Sequence, residues 1–259
     1  MSEELTLLRQ METIFDLGMY DASDTSYYLE EGYKVVAVEA NPALAKSAEM
    51  KFGRWIETGR LKILNAAISE DSCPVELTIC GDDLGSSSVY RDKVEGRTPV
   101  GSFSVAGLTP KELFSQYGVP LYLKVDLEGA DRLCILALTK EIRPKYLSFE
   151  MGEDFEELLE HVCQVDFSEF KLIDQTNFRE VSRRRSLRDR IARRIVRLVG
   201  YGEPRVVKRG RRFFQLGHSS GPVPWESDGP WRSKAEILKS CKQLKQANLN
   251  GVWFDLHAR

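Results

Sequence analysis

Two neighbouring stretches of the sequence decide the fold: "IFDLGMYDASDT" at residues 14–25 and "YKVVAVEANP" at residues 33–42. The first begins with an apolar run that ends at Gly18, and the second contains an apolar run that ends at an acid, Glu39. Apolar runs without alternation are typical of strands buried on both faces of a parallel sheet. The pattern therefore predicts strand, tight turn, helix and strand, the layout of one half of a dinucleotide-binding fold.

The same alternation continues along the chain. Asn41 and Pro42 are suited to cap and open a second helix. Further strands are predicted over residues 61–69, 119–131 and 144–152. Strands that alternate with helices predict a doubly wound, mostly parallel α/β sheet with helices on both faces.

The composition is that of an ordinary globular enzyme, with 42% hydrophobic and 29% charged residues. The net charge of −2 names no partner. We expect no transmembrane helix and no signal peptide, because no apolar window is long enough. The five cysteines lie far apart without a CxxC pair, which favours reduced thiols in a cytoplasmic protein.

Charge is distributed unevenly, and residues 182–212 differ from the rest. This segment holds thirteen basic residues against two acids, and its apolar residues predict a basic amphipathic helix with its flank. We predict a core domain over 1–181, this Arg-rich insertion over 182–212, and a C-terminal part over 213–259. The C-terminal part would comprise a strand, a Pro/Trp-rich loop and a helix that close over the core.

The Arg-rich segment has several interpretations. It could be a solvated, partly disordered insertion, a helix that pairs with the acidic remainder, a site for a phosphate-bearing acceptor, or a peripheral membrane contact. Nucleic acid is not expected, because no RNA-binding motif is present and aromatic residues are not interleaved with the arginines. The oligomeric state stays open, a homodimer included.

The loop after the first strand argues against a dinucleotide. A pyrophosphate needs the G-x-G-x-x-G pattern, whereas Gly18 stands alone and Asp21 and Asp24 would repel the phosphates. A ligand with a positive centre and no phosphate fits better, and S-adenosylmethionine is such a ligand. Glu39 follows Gly18 by 21 residues and is placed to accept both ribose hydroxyls.

The sequence also resembles the FkbM family of S-adenosylmethionine-dependent methyltransferases. The matching stretches are "FDLGMYDASDT", "VVAVEANP", "LNAAIS", "LYLKVDLEGAD" and "YLSFEM", and "SSGPVPWESDGPW" resembles a closing loop of some members. The resemblance implies a Rossmann-like class I methyltransferase that O-methylates a hydroxyl of a sugar, glycan or related metabolite. The family usually has a second glycine where Ala22 stands, and alanine there requires a negative φ or accepts strain.

The resemblance also implies a cofactor site. The methionine and sulfonium side would be lined by Asp16, Gly18, Met19, Tyr20 and Thr25. Glu39 would bind the ribose beside Asn41, and Asn65 and Ala66 would face the adenine. A Thr25 that faces the core and an Asn65 that only caps a turn are the alternatives.

The chemistry is expected where the fourth strand ends in "LKVDLEGAD". Lys124, Asp126 and Glu128 alternate there and so share one side of an extended strand. Asp126 is the first candidate for the base that activates the acceptor hydroxyl, and His218 is the second if the tail folds back. Glu150 could orient the acceptor. Asp126 and Glu128 could instead hold Mg²⁺, or a Lys–Asp pair could only close the sheet edge.

Three rival functions remain at this point. The same fold could carry out N- or carboxyl-methylation. A catalytically inactive methyltransferase-fold binding protein would explain Ala22 and the acidic loop. A nucleic-acid-binding protein that uses the Arg-rich segment would show a steep dependence of binding on salt.

Overall fold

The computed structural model describes Arg9 and residues 11–80, 99–127, 129–181, 206–246 and 253–259. The chain divides into two compact units, Met1–Phe167 and Ser168–Arg259. Of the predicted Arg-rich insertion over 182–212, residues 182–205 lie outside the described residues, and so does Glu128. The predicted domain boundaries therefore stay predictions.

Nine strands are described in the first unit. They are β1 (Thr13–Leu17), β2 (Lys34–Val38), β3 (Leu61–Leu64), β4 (Ala67–Ile68), β5 (Val75–Cys80), β6 (Pro99–Val105), β7 (Gly107–Leu108), β8 (Tyr122–Val125) and β9 (Tyr146–Glu150). In the main sheet β3, β2, β1, β8 and β9 lie side by side in that order, and every neighbouring pair is parallel. The predicted doubly wound α/β fold is confirmed.

The helices of the first unit connect these strands. They are α1 (Ser23–Glu30), α2 (Pro42–Lys51), α3 (Gly53–Glu57), α4 (Pro110–Tyr117), α5 (Asp131–Leu136) and α6 (Phe155–Gln164). The usual right-handed crossover places α5 on the face opposite α1 and α2, because the strand order reverses direction between β1 and β8. Among the helices of the described residues, none is long and apolar enough to cross a membrane.

Local signals fix where two of these helices begin. The side chain of Asn41 accepts the N–H of Ala43 at 3.0 Å, and Pro42 follows in the first turn, as predicted for α2. At α4 the side chains of Thr109 and Glu112 satisfy each other's backbone N–H groups in a capping box. Both helices therefore start at caps that are readable in the sequence.

The remaining strands of the first unit form two small additional sheets. β4 pairs with β7 in parallel, and β5 pairs with β6 as an antiparallel hairpin. Ala67, Leu77, Ile79 and Val105 form a separate buried cluster between these strands. The stretch "PVELTIC" at residues 74–80 thus contributes β5, one strand of this hairpin.

The second unit contains β10 (Phe170–Asp174), β11 (Arg179–Glu180), β12 (Val206–Arg209), β13 (Arg212–Gln215), α7 (Lys234–Gln246) and β14 (Phe254–Ala258). β10 pairs antiparallel with both β11 and β14, and β12 pairs with β13 as a hairpin. The sequence predicted β13 and α7 but not β10 or β14. In β14 Asp255 and His257 alternate with apolar residues, a pattern typical of a half-exposed strand, although every residue of β14 is buried.

Buried polar groups hold the second unit together. The Lys171 ammonium, only 3% exposed as a residue, donates to the backbone oxygens of Pro224 and Ser227 at 3.2 and 2.8 Å. His257 Nδ1 lies 3.3 Å from the Ser227 hydroxyl oxygen. Burial, and then the charge of Lys171, lowers the pKa of His257 to about 3, so this histidine is neutral near pH 7. The loop that contains Ser227 is thereby fastened to β10 and β14.

The backbones of two segments of the first unit approach each other closely where β1 and β8 end. Gly18 has φ +81°, and a Cβ built there would lie 1.7 Å from the carbonyl oxygen of Asp126. The N–H of Gly18 donates to Val38 O and the N–H of Asp126 donates to Leu17 O, each at 3.0 Å. The chain can pass between β2 and β8 at this point only as glycine.

We expect Gly18→Ala to lower the free energy of unfolding by about 3 kcal/mol or more, because the methyl group collides with backbone that cannot move aside. Urea denaturation measures this loss. Gly53→Ala is the matched control, since a Cβ at Gly53 meets nothing within 4 Å. Equal stability of the Gly18 variant and wild type would contradict this account of the contact.

Candidate functional site

The winding of the sheet reverses between β1 and β8, and in such folds ligands bind outside the carboxyl ends of the strands at the reversal. Four of the predicted residues lie at these ends. Gly18 follows β1, Glu39 follows β2, Asn65 follows β3 and Asp126 follows β8. The sheet therefore brings together residues that are far apart in sequence.

The loop after β1 is held in an unusual backbone conformation. Tyr20 and Ala22 have φ values of +51° and +62°, in the left-handed region that side chains other than glycine rarely adopt. Ala22 also precedes α1 without a side-chain cap. Alanine at this position was expected either to adopt a negative φ or to accept strain, and Ala22 accepts the strain. The loop thus keeps the path that a glycine would give it.

Glu39 fastens this loop to β2. Its Oε2 accepts the N–H of Tyr20 at 2.8 Å, and its Oε1 accepts the N–H of Asn41 at 2.7 Å. The residue is 8% exposed. Burial raises the pKa of Glu39 to about 7, although both N–H donors act in the opposite direction. Each carboxylate oxygen has a second lone pair, so Glu39 can still accept hydroxyl groups of a ligand.

Lys124 is the centre of a buried ionic cluster. Its Nζ donates to Gly18 O at 3.0 Å and lies 3.1, 3.8 and 3.6 Å from carboxylate oxygens of Asp16, Asp24 and Asp126. Burial alone would lower the pKa of Lys124, but the carboxylates outweigh it and raise this pKa well above its usual value. A protonated ammonium cannot accept a proton, so Lys124 is placed to position groups rather than to act as a base.

The acids in the loop have partners that the sequence did not reveal. Asp24 is 3% exposed and belongs to the Lys124 cluster. Asp21 Oδ1 accepts the N–H of Ser23 at 2.9 Å. Asp16 accepts the hydroxyl of Thr25 at 2.6 Å, and both residues are fully buried. The hydroxyl of Thr25 thus donates to Asp16, and a contact of Thr25 with a cofactor stays a prediction.

With its aspartates ionised, the cluster around Lys124 carries three negative charges against one positive charge. This part of the sheet edge is therefore electronegative. It suits a cationic group and disfavours a phosphate.

Asn65 forms a further contact at the edge of the sheet near Glu39. The amide of Asn65 donates to the carbonyl oxygens of Glu39 and Ala40 at 2.9 and 3.1 Å, which ties β3 to β2. Ala66 is 8% exposed, and Met19 is 2% exposed. Asn65 thus has a structural task here, and the contacts of these residues with an adenine or a methionine stay predictions.

Asp126 is the acid of this edge that solvent can reach, with 46% of its side chain exposed. The turn behind it is organised by Asp131, which the sequence analysis did not single out. Asp131 accepts the N–H groups of Leu127 and Gly129 at 3.3 and 3.2 Å. Burial, and then the charge of Asp126, raises the pKa of Asp131. Its position as the first residue of the short helix α5 was the signal available in the sequence.

The other predicted catalytic residues belong to other elements. His218 lies in a turn of the second unit, after β13, and Glu150 ends β9. Glu128 is outside the described residues. Within the described ranges no group of three or more His, Cys, Asp or Glu side chains is arranged to hold a metal ion. The catalytic roles and the Mg²⁺ site stay predictions.

No protein-family model matches the chain, and no curated protein matches it. The chain is similar to a methyltransferase FkbM from Methylobacillus flagellatus KT, with 15% identity and a TM-score of 0.43 over 62% of this chain. A TehB-like SAM-dependent methyltransferase from Corynebacterium glutamicum has 13% identity and a TM-score of 0.35, over 66% of this chain and 75% of that one.

A precorrin-6Y C5,15-methyltransferase from Geobacter metallireducens has 7% identity and a TM-score of 0.40, over 100% of this chain and 87% of that one. The chain spans only 39% of the length of the FkbM protein. These likenesses are too distant to assign a family.

The strain at Ala22 makes a prediction that separates it from ordinary alanines. Glycine relieves the left-handed conformation but loses a buried methyl group, so we expect Ala22→Gly to be near neutral. Ala45→Gly, at an equally buried position inside α2, should be destabilising, by about 1 kcal/mol more. Urea denaturation of the two variants measures the difference, and equal losses would rule out the strain.

Glu39 makes a prediction about pH. A carboxyl group whose folded pKa is raised binds its proton more tightly in the folded state. Its contribution to stability is complete below the usual pKa of 4.5 and is lost as the pH rises through about 7. Relative to Glu39→Gln, wild type should lose up to about 1.4 kcal/mol per pH unit between pH 5 and 7. Urea denaturation across this range measures it, with Glu49→Gln as an exposed control. A constant difference would contradict the raised pKa.

Proposed function

We propose that this protein binds S-adenosylmethionine at the edge formed by β1, β2 and β8 and transfers its methyl group. The proposal rests on the acidic edge of the sheet at the point where its winding reverses, between β1 and β8. Glu39 is held beside the strained loop, and three aspartates surround the one ammonium of Lys124. A sulfonium cation is favoured beside such a cluster, whereas the pyrophosphate of NAD is repelled.

The residues present fit this cofactor. Glu39 has acceptor capacity left for ribose hydroxyls, and a carboxylate is a strong acceptor for them. Gly18 and the left-handed residues after it bring backbone close to the same edge. When bound, S-adenosylmethionine supplies an activated methyl group. The protein would act mainly by holding the acceptor in line with that group.

Asp126 is our candidate for the base. It is the solvent-reachable carboxylate of the cluster, and the N–H groups that Asp131 accepts fix the turn that follows it. A carboxylate there could take the proton of an acceptor hydroxyl as the methyl group is transferred. O-methylation of a hydroxyl is therefore the finer proposal, and the resemblance to the FkbM family implies a sugar, glycan or related metabolite as the acceptor. N- or carboxyl-methylation uses the same edge and differs only in the acceptor.

The rival with a specific observation is an inactive binding protein. It was suggested by Ala22, because alanine can narrow the loop. The φ of +62° at Ala22 weakens this rival, since the residue follows the backbone path of glycine. Cofactor binding without methyl transfer to any hydroxyl, amine or carboxylate acceptor would favour it.

We expect calorimetric titration of wild type to show binding of S-adenosylmethionine and none of NAD⁺. Glu39→Gln removes the charge that the ribose hydroxyls would meet and should weaken binding by about tenfold or more. Glu49→Gln, an exposed site on α2, is the control and should bind as wild type does. Absence of binding, or equal binding by Glu39→Gln, would refute the proposed site.

A further inference from the structure

The hairpin β12–β13 in the second unit presents two different faces. Lys208 pairs with Phe213 and Arg209 pairs with Arg212, so Gly210 and Arg211 form a two-residue turn. Gly210 has φ +55°, which suits the first central position of a tight hairpin turn. Because side chains alternate along a strand, Val206, Lys208 and Phe213 share one face.

The other face anchors the hairpin. Phe214 is 4% exposed, and its ring meets that of Phe178 edge-on at a centroid distance of 5.9 Å. The guanidinium of Arg209 donates to the carbonyl oxygen of Asn177. The hairpin is therefore attached to the second unit through one face, which determines that Phe213 projects from the opposite one.

The projecting face combines large apolar groups with positive charge. Phe213 is 68% exposed and Val206 is 56% exposed. The ammonium of Lys208 lies 5.5 Å from the centre of the Phe213 ring, and Arg211 at the tip is exposed. Residues 206–215 contain four basic residues and no acid. Exposed apolar groups that share one face with basic residues are suited to an interaction surface.

We propose that this hairpin docks on an anionic phospholipid surface. Phe213 and Val206 would enter the apolar part of the headgroup region, while Lys208 and Arg211 would meet the lipid phosphates. Charge complementarity identifies the occupant, because the basic tip is continuous in sequence with nine further basic residues between 183 and 205. Single-stranded nucleic acid would also attract the charges, but it offers no apolar phase for Val206.

The test is flotation of the full-length protein with phosphatidylcholine vesicles, with and without phosphatidylserine. We expect binding that requires phosphatidylserine and weakens with added salt. Phe213→Ser, Val206→Ser and the double variant Lys208→Gln/Arg211→Gln should each reduce binding, the first and last by about tenfold. Phe103→Ser, at the exposed Phe103 of β6, is the matched control and should bind as wild type does.

Other outcomes overturn the proposal. These are equal binding to both kinds of vesicle, and wild-type binding by both Phe213→Ser and Val206→Ser. A hairpin-dependent affinity for an RNA oligonucleotide, with none for vesicles, would assign the surface to nucleic acid. A dimer in sedimentation velocity that Phe213→Ser dissociates, again without vesicle binding, would assign it to a second copy of this chain. Calorimetry with S-adenosylmethionine remains a separate test, since neither Val206 nor Phe213 belongs to the proposed cofactor site.

Discussion

The buried ammonium of Lys124 is the interaction on which the candidate site depends. It joins β8, to which it belongs, to Asp16 of β1, to Asp24 of α1 and to the carbonyl oxygen of Gly18. A buried charge is tolerated only with close partners, and here the partners come from three segments. The loop after β1 is thereby tied to the centre of the sheet. The excess of carboxylates over this one cation then gives the edge its negative character.

A second set of contacts holds the strained loop against β2. The N–H groups of Gly18 and Met19 both donate to Val38 O, at 3.0 and 3.1 Å, and that of Tyr20 donates to Glu39. Left-handed residues are kept where the surrounding structure compensates for their strain, and such positions are frequent at ligand sites. Glu39 is thus a structural acceptor and a candidate ligand group at once. We therefore expect both the stability of the fold and the affinity of this edge for a ligand to depend on the ionisation of Glu39.

Features that depend on residues close together in sequence were predicted, whereas features that depend on residues far apart in sequence were not. The cap at Asn41 and the capping box at Thr109 are local, and both are present as the sequence indicates. Asp24 was interpreted as a charge that repels phosphate, because its partner Lys124 is a hundred residues away. β14 was missed for the same reason. Its partner strand β10 lies far earlier in the chain, where Lys171 pairs with His257.

By itself the sequence determined the alternation of strands and helices, the confirmed doubly wound α/β class and which residues follow the main strands. Apolar runs and caps act over a few residues, so they can be recognised without a structure. Only the tertiary structure decided that Gly18 meets Asp126, that Lys124 compensates three aspartates, and that Ala22 adopts a left-handed backbone. Those outcomes depend on which strands become neighbours, because burial and electrostatics are set by groups that the chain brings together only on folding.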